Sequence, residues 1–313
     1  KERYCGKNGV CNIREFVFGN DFLRIIKGEN SMIKITTDST ADLNEIFLTR
    51  NIISFPLTVI LGDKSYNDGL DIKPQDIYDY VAKTGILPKT AARNKEEYGE
   101  FFDKLTADGS SVIHFSISSG ISSSYDHAQA AADARKNIYV VDSKSLSTGT
   151  GLLAMYAADL RDADNMTAQE IYEKCQARVP FVQASFVVDR MEYLYKGGRC
   201  TGLESFFATA LKIKPSLLLR DGKITVGPKY MGNMLKSISK YCNNIIDTYH
   251  NVDKTRVFVT YTEGTAPEVI EKAKSIVRER INPAVILQTT AGSVITSHCG
   301  AGTLGILYIN DAE

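Results

Sequence analysis

The side chains best placed to do chemistry in this sequence are hydroxyls, and they gather where strand patterns give way to helical ones. Ser118-Ser119-Gly120-Ile121-Ser122-Ser123-Ser124 separates the strand-like Ser111–Ser116 from an alanine-rich helical stretch, Ser124–Arg135. Such a junction offers free backbone N–H groups at the positive end of a helix dipole, and serines add donors to them. It reads as an anion site or as ordinary helix capping by Ser122 or Ser124. Asp38-Ser39-Thr40, after the strand-like Ile33-Lys34-Ile35, and Lys89-Thr90-Ala91, between two helical segments, are loops of the same kind. Near the C-terminus, His298-Cys299-Gly300-Ala301-Gly302 follows a strand-like run and precedes the apolar Leu304–Ile309, setting one imidazole in a glycine-rich turn, as a structural residue or a functional one. Lys196-Gly197-Gly198-Arg199 combines two glycines with two cations, as a helix C-cap or as an exposed basic corner for a phosphate or a protein partner.

These groups could hold a carboxylate without transforming it. The sequence contains no G-x-x-x-x-G-K-[ST] loop, no G-x-G-x-x-G and no H-E-x-x-H, and Gly120–Ser124 lacks the final glycine of a G-x-S-x-G elbow. No third residue is spaced to orient His298 against Ser122. The pattern therefore favours binding over catalysis, with a Ser122/His298 acyl hydrolase or acyltransferase as the alternative.

Composition narrows the partners. The 313 residues suggest two domains, and 43% hydrophobic with 24% charged residues is ordinary for a globular chain. Lys+Arg and Asp+Glu balance at 37 each, so there is no overall positive field to hold a nucleic acid or an anionic membrane. With no long apolar run and no signal-peptide pattern, the expectation is a soluble cytoplasmic protein with at most transient membrane contact. Cys5, Cys11, Cys175, Cys200, Cys242 and Cys299 lie far apart without a C-x-x-C pair, and read as reduced, mostly buried hydrophobes rather than disulfides or metal ligands.

The elements that must position these residues alternate. Lys1–Ser31 shows no sustained period and reads as an extension of unknown role. After Met32, strands at Ile33–Ile35, Ile52–Leu61, Ser111–Ser116 and Ile138–Val141 are separated by helices at Gln75–Thr84, Lys95–Thr106, Ser124–Arg135 and Leu152–Arg161, the signature of βαβ units and a parallel sheet. From about Thr167 the texture changes. A helix Ala168–Arg178, a strand Ala184–Val188, an apolar helix Met191–Tyr195 and Leu203–Ile213 lead to a hairpin, Leu217–Leu219 and Lys223–Val226 about Asp221-Gly222. Leu235–Tyr249 and Pro267–Arg280 are helical, while Arg256–Tyr261, Ala284–Thr289 and Leu304–Ile309 are strands, implying a mixed sheet.

From Met32 to its end the chain resembles the DegV family of bacterial fatty-acid-binding proteins. The segments that carry the resemblance are Thr37–Leu43, Phe55-Pro56-Leu57, Pro88-Lys89-Thr90, Ser118–Ser122, Val141-Asp142-Ser143, Lys196–Arg199, Lys212–Pro215 and His298-x-Gly-x-Gly, in order over about 280 residues. The resemblance implies a two-domain α/β protein: an N-terminal three-layer α/β/α domain with a parallel sheet at 32–179, and a C-terminal α/β domain with a mixed sheet at 180–313. A long-chain fatty acid would lie between them, its carboxylate held by Thr90, by Ser122 with Ser123, and by His298, with no cofactor. It further implies delivery of that acid to a separate fatty acid kinase, docked near Lys196 and Arg199. Three departures stand out: Thr90-Ala91-Ala92-Arg93 in place of T-S-Q-P, Ser122-Ser123-Ser124-Tyr125 in place of S-G-T-Y, and Gly232 where an arginine is expected. The last sets lipid carriage above kinase delivery as the expectation.

Overall fold

A computed structural model of the chain describes residues 33–163, 166–200 and 213–312. The extension 1–31 with Cys5 and Cys11, and the Leu203–Ile213 segment up to its last residue, lie outside the described residues. In chain order the first half contains β1 (Ile33–Asp38), α1 (Ile46–Thr49), β2 (Ile52–Phe55), β3 (Thr58–Leu61), β4 (Lys64–Asn67), α2 (Pro74–Thr84), β5 (Lys89–Ala91), α3 (Lys95–Thr106), β6 (Ser111–Ser116), α4 (Ser124–Ala132), β7 (Ile138–Asp142), α5 (Thr148–Asp162) and α6 (Ala168–Arg178). The second half contains β8 (Val182–Val187), α7 (Glu192–Gly197), β9 (Ile213–Arg220), β10 (Lys223–Met231), α8 (Met234–Thr248), β11 (Arg256–Tyr261), α9 (Pro267–Arg280), β12 (Val285–Thr290), α10 (Ser293–Cys299) and β13 (Leu304–Ile309).

β2-β1-β6-β7 form a parallel sheet, as the alternation of strands and helices predicts. Because side chains alternate along a strand, Val112 of β6 packs with Tyr98 and Phe102 of α3 and the alanines of α4, while Ile113 and Phe115 pack on the other face with α5 and α6. β10-β9-β8-β13-β11-β12 form a mixed sheet, parallel only between β11 and β12. One face is covered by α8 and α9; on the other, Ala184, Phe258 and Leu307 share a core with α5. Helix α5 thus lies against both sheets, and its small residues permit it: a Cβ on Gly149 would fall 3.2 Å from the Ala184 Cβ. The fold class is α/β, one parallel and one mixed sheet.

Three expectations are corrected. The run Ile52–Leu61 is two strands, not one. Pro56 has no N–H to continue a ladder, so the chain leaves the parallel sheet after Phe55 and enters a small antiparallel sheet, β4-β3-β5. Lys89-Thr90-Ala91 is not a loop but β5, with Thr90 opposite Val59. The run before Cys299 is helical despite its β-branched residues. Asp42 accepts from the Gly292 N–H at 2.8 Å and Asp68 from the Ser293 N–H at 2.7 Å, supplying the partners that the first turn of α10 lacks.

Candidate functional site

A cavity with about 560 Å³ of empty space, including its mouth, is walled by residues from the surroundings of all three sheets. Its sides are apolar, formed by residues such as Leu57, Ile117, Ile121, Leu194, Ile224 and Ile295. Its polar members are Thr90, Ser122, Arg199 and His298, so three residues singled out as carboxylate ligands meet in one place. Ser123 does not contribute to that wall; it is the N-cap of α4, where its carbonyl accepts from the His127 N–H at 3.1 Å.

Thr90 and His298 touch directly, Oγ1 to Nε2 at 2.7 Å. The other ring nitrogen, Nδ1, has no hydrogen-bond partner among the described residues and is packed over Gly197, where a Cβ would fall 2.6 Å from it. Burial, and then the charge of Arg199, push the His298 pKa down to about 4, so the ring is neutral near pH 7. A neutral ring that places its single proton on Nε2 donates to Thr90 Oγ1. The threonine's own proton is then free for an acceptor in the cavity. The two glycines of Lys196-Gly197-Gly198-Arg199 therefore do different work. Gly197 makes room for the imidazole, and Gly198, at φ +68, is the left-handed C-cap of α7.

Ser122 is fixed from behind. Its Oγ accepts from the Ser124 N–H at 3.2 Å and lies 3.0 Å from the Ser124 hydroxyl. Ser124 interacts in turn with the Tyr98 hydroxyl, which donates to Asp38 Oδ1 at 2.5 Å. Asp38 is fully buried and also accepts from Ser116 Oγ at 2.8 Å and the Ile117 N–H at 2.9 Å. Burial works to raise its pKa, but the neighbouring His114, the Tyr98 hydroxyl and the Ile117 N–H outweigh it and hold the carboxyl below its usual range. Burial and the Asp38 charge drive the Tyr98 phenol well above its usual pKa, keeping it a donor. Where the Ser124 hydroxyl gives its proton to Tyr98, Ser122 keeps its own proton to donate, either to Ser124 or into the cavity. Nothing in the spacing of Tyr98 and Asp38 in sequence marked them as supports of Ser122; they meet because α3 packs on β6, the strand beside β1.

The rest of the Ser/Gly loop serves a different end. Ser118 Oγ donates to the Gly222 carbonyl at 2.7 Å, and a Cβ on Gly120 would meet that carbonyl oxygen at 2.5 Å, so this stretch docks on the β9–β10 turn. Arg93, where the resemblance leads one to expect proline, braces the other wall. Its guanidinium donates to the Pro56 carbonyl at 2.7 Å, to Glu97 at 2.8 Å and to Asn67, tying the end of β5 to β4 and α3. Lys196 is exposed. Arg199 is exposed too, yet lines the cavity, with Nη1 donating to the Gly197 carbonyl at 2.7 Å.

Ser122 and His298 do not meet as a nucleophile and its base. His298 is bonded to Thr90 rather than to Ser122, no carboxylate among the described residues meets its Nδ1, and a pKa near 4 makes it a poor base. The cysteines within the described residues, Cys175, Cys200, Cys242 and Cys299, are buried. Among the described residues there is no cluster suited to a metal ion, and no helix is long and apolar enough to cross a membrane.

A parallel sheet and a mixed sheet packed on one helix, with an apolar cavity that ends in hydroxyls, define the class of fold. The family model described as "Uncharacterised protein, DegV family" matches residues 32–311, and the chain belongs to that family. It is 28% identical over 279 residues to a DegV domain-containing protein of Caldanaerobacter subterraneus subsp. tengcongensis, covering 88% of this chain and 98% of the relative. Among solved structures it is similar to a DegV lipid-binding protein from Thermotoga maritima, with TM-score 0.78, 26% identity, and coverage of 90% of this chain and 99% of that one. It is also similar to DegV, a fatty acid binding protein from Bacillus subtilis, with TM-score 0.76, 26% identity, and coverage of 89% and 99%.

Proposed function

We propose that this protein binds a long-chain fatty acid and carries it, with the acyl chain along the apolar cavity and the carboxylate at Thr90, Ser122 and His298. The observation that carries the reading is the convergence of those three side chains at one cavity, within a family whose structurally similar members bind lipid or fatty acid. Burying each CH₂ is worth ~0.8 kcal/mol, so an acyl chain of about sixteen carbons gains on the order of ten kcal/mol before its costs. Removing a carboxylate from water opposes this strongly unless several donors meet it. The Thr90 and Ser122 hydroxyls are two such donors, and Arg199 adds a permanent positive charge at the wall.

In this reading the protein is a cytoplasmic carrier in two domains, 32–179 and 180–313, with the lipid between them. It works without a cofactor of its own and hands the acid to a separate kinase for phosphorylation. The exposed Lys196 and Arg199 form the corner such a partner would meet. Denaturing extraction of the purified protein, with native mass spectrometry before and after adding fatty acid, tests the carrier function. A bound acyl chain of stoichiometric amount is expected; no co-purifying chain and no uptake overturns the proposal.

A further inference from the structure

Adjoining the first cavity is a second, with about 330 Å³ of empty space including the solvent at its mouth, bounded by residues that include Phe186, Thr260 and Leu307. Several hydroxyls stand around it, yet they are engaged elsewhere. Thr260 Oγ1 lies 2.6 Å from Thr148 Oγ1 and 2.9 Å from Thr289 Oγ1, Ser185 Oγ lies 2.8 Å from the Tyr241 hydroxyl, and Thr303 Oγ1 donates to the Cys299 carbonyl at 3.0 Å. Ser147 Oγ donates to Asp42, and Thr262 Oγ1 accepts from the Thr303 N–H at 3.0 Å. An ordered water needs two to four polar partners, which these committed groups do not offer, so the chamber suits carbon.

The two chambers share three wall residues: Leu146, Ile295 and Cys299. Ile295 and Cys299 sit one helical turn apart on α10, and Leu146 reaches them from the loop between β7 and α5; all three are buried. Resting on the fatty-acid reading above, we propose that Leu146 and Ile295 form a septum that sets the acyl chain length. A chain short enough to end at the septum occupies the first chamber alone. A longer one displaces the septum and runs on into the second. Ile295 is β-branched within a helix and held to one rotamer, so the loop residue Leu146 is the member that swings.

The test loads the full-length protein with an equimolar ladder of straight-chain saturated fatty acids from medium to very long, and measures the retained lengths by native mass spectrometry. Leu146→Ala should open the septum and shift the retained acids toward longer chains. Ile295→Phe should thicken it and shift them toward shorter ones, since a chain denied burial of two methylenes loses about tenfold in affinity. Should Ile295→Phe fail to fold, Leu146→Phe narrows the same passage from its other side and is read in the same way. If the wild-type protein takes up fatty acid but the retained lengths do not move in either direction, the septum is overturned and the fatty-acid reading stands. If the wild type retains no fatty acid at all, both fall.

Discussion

Thr90 and His298 are 208 residues apart in sequence and 2.7 Å apart in space, joining the short strand β5 to the last turn of α10. In the neutral tautomer with its proton on Nε2, the imidazole aims a hydroxyl: the ring donates to Thr90, and Thr90 is left to donate onward. Thr90→Val keeps the shape and removes the hydroxyl. Loss of a hydrogen bond to a charged group is worth ~1.5 kcal/mol or more, about tenfold in affinity. The variant should therefore bind a fatty acid about tenfold more weakly while binding the matching fatty alcohol almost unchanged. Titration calorimetry with the two ligands checks this, and an unaltered acid affinity would remove Thr90 from the site.

The buried imidazole also leaves a signature in stability. The His298 pKa is lowered from 6.5 to about 4 by burial and by the Arg199 charge. Below pH 6.5 the unfolded chain takes up a proton that the folded one refuses until about pH 4. This residue's contribution to stability is therefore lost as pH falls through that window, by at most about 3 kcal/mol. His298→Gln removes the titration. Its stability relative to wild type, from urea unfolding, should improve steadily between pH 6.5 and 4; a pH-independent difference would show the histidine to be charged when folded.

The acid at position 42 works in the opposite sense. Burial raises the Asp42 pKa from 3.8 to about 8 against the hydrogen bonds of Ser147 and the Gly292 N–H, and the nearby Asp68 adds to the rise. Between those two pH values the folded chain holds a proton that the unfolded chain has released, so stability declines as pH climbs from about 4 to about 8. Asn tolerates the left-handed backbone that residue 42 adopts, at φ 51. Asp42→Asn should gain on wild type progressively across this range in thermal melts, and a flat difference would sink the account.

Behind Ser122, the Tyr98 hydroxyl interacts with the Ser124 hydroxyl. In Tyr98→Phe, Ser124 loses that partner, and Asp38 loses a donor that it accepts at 2.5 Å. The expected result is a several-fold weaker affinity for fatty acid, with fatty alcohol binding little changed and a melting temperature several degrees lower. Equal weakening for both ligands would mean that Tyr98 serves only the core.

Gly197 is required by what lies on it, not by its backbone. A Cβ there would stand 2.6 Å from His298 Nδ1, so Gly197→Ala must push the ring aside and break its contact with Thr90. Acid affinity should fall at least as far as in Thr90→Val, and combining the two changes should cost little more than either alone. Full additivity in that double-mutant cycle would separate Gly197 from Thr90.

Much of the local structure was legible from residue order alone. Asp221-Gly222 predicts a two-residue hairpin, and both residues take positive φ, 49° and 76°, between β9 and β10. The alternating strands and helices after Met32 announce the parallel sheet, and the hydroxyl-rich junctions announce donors at strand ends, because period and turn chemistry are properties of short stretches. What long-range packing alone decided is which of those donors face one another. Val294-Ile295-Thr296 has the side chains of a strand, but Asp42 and Asp68, more than two hundred residues away, satisfy the free N–H groups of its first turn and make it a helix. That places His298 over Gly197 and against Thr90. Likewise Ser122, Tyr98 and Asp38 belong to three separate segments, and Leu146 and Ile295 come to line both cavities only once both sheets are packed on α5. Sequence patterns report what a residue offers to its neighbours along the chain; the hydrogen bonds and voids of this site join residues that only the packed sheets and helices bring within a few ångströms.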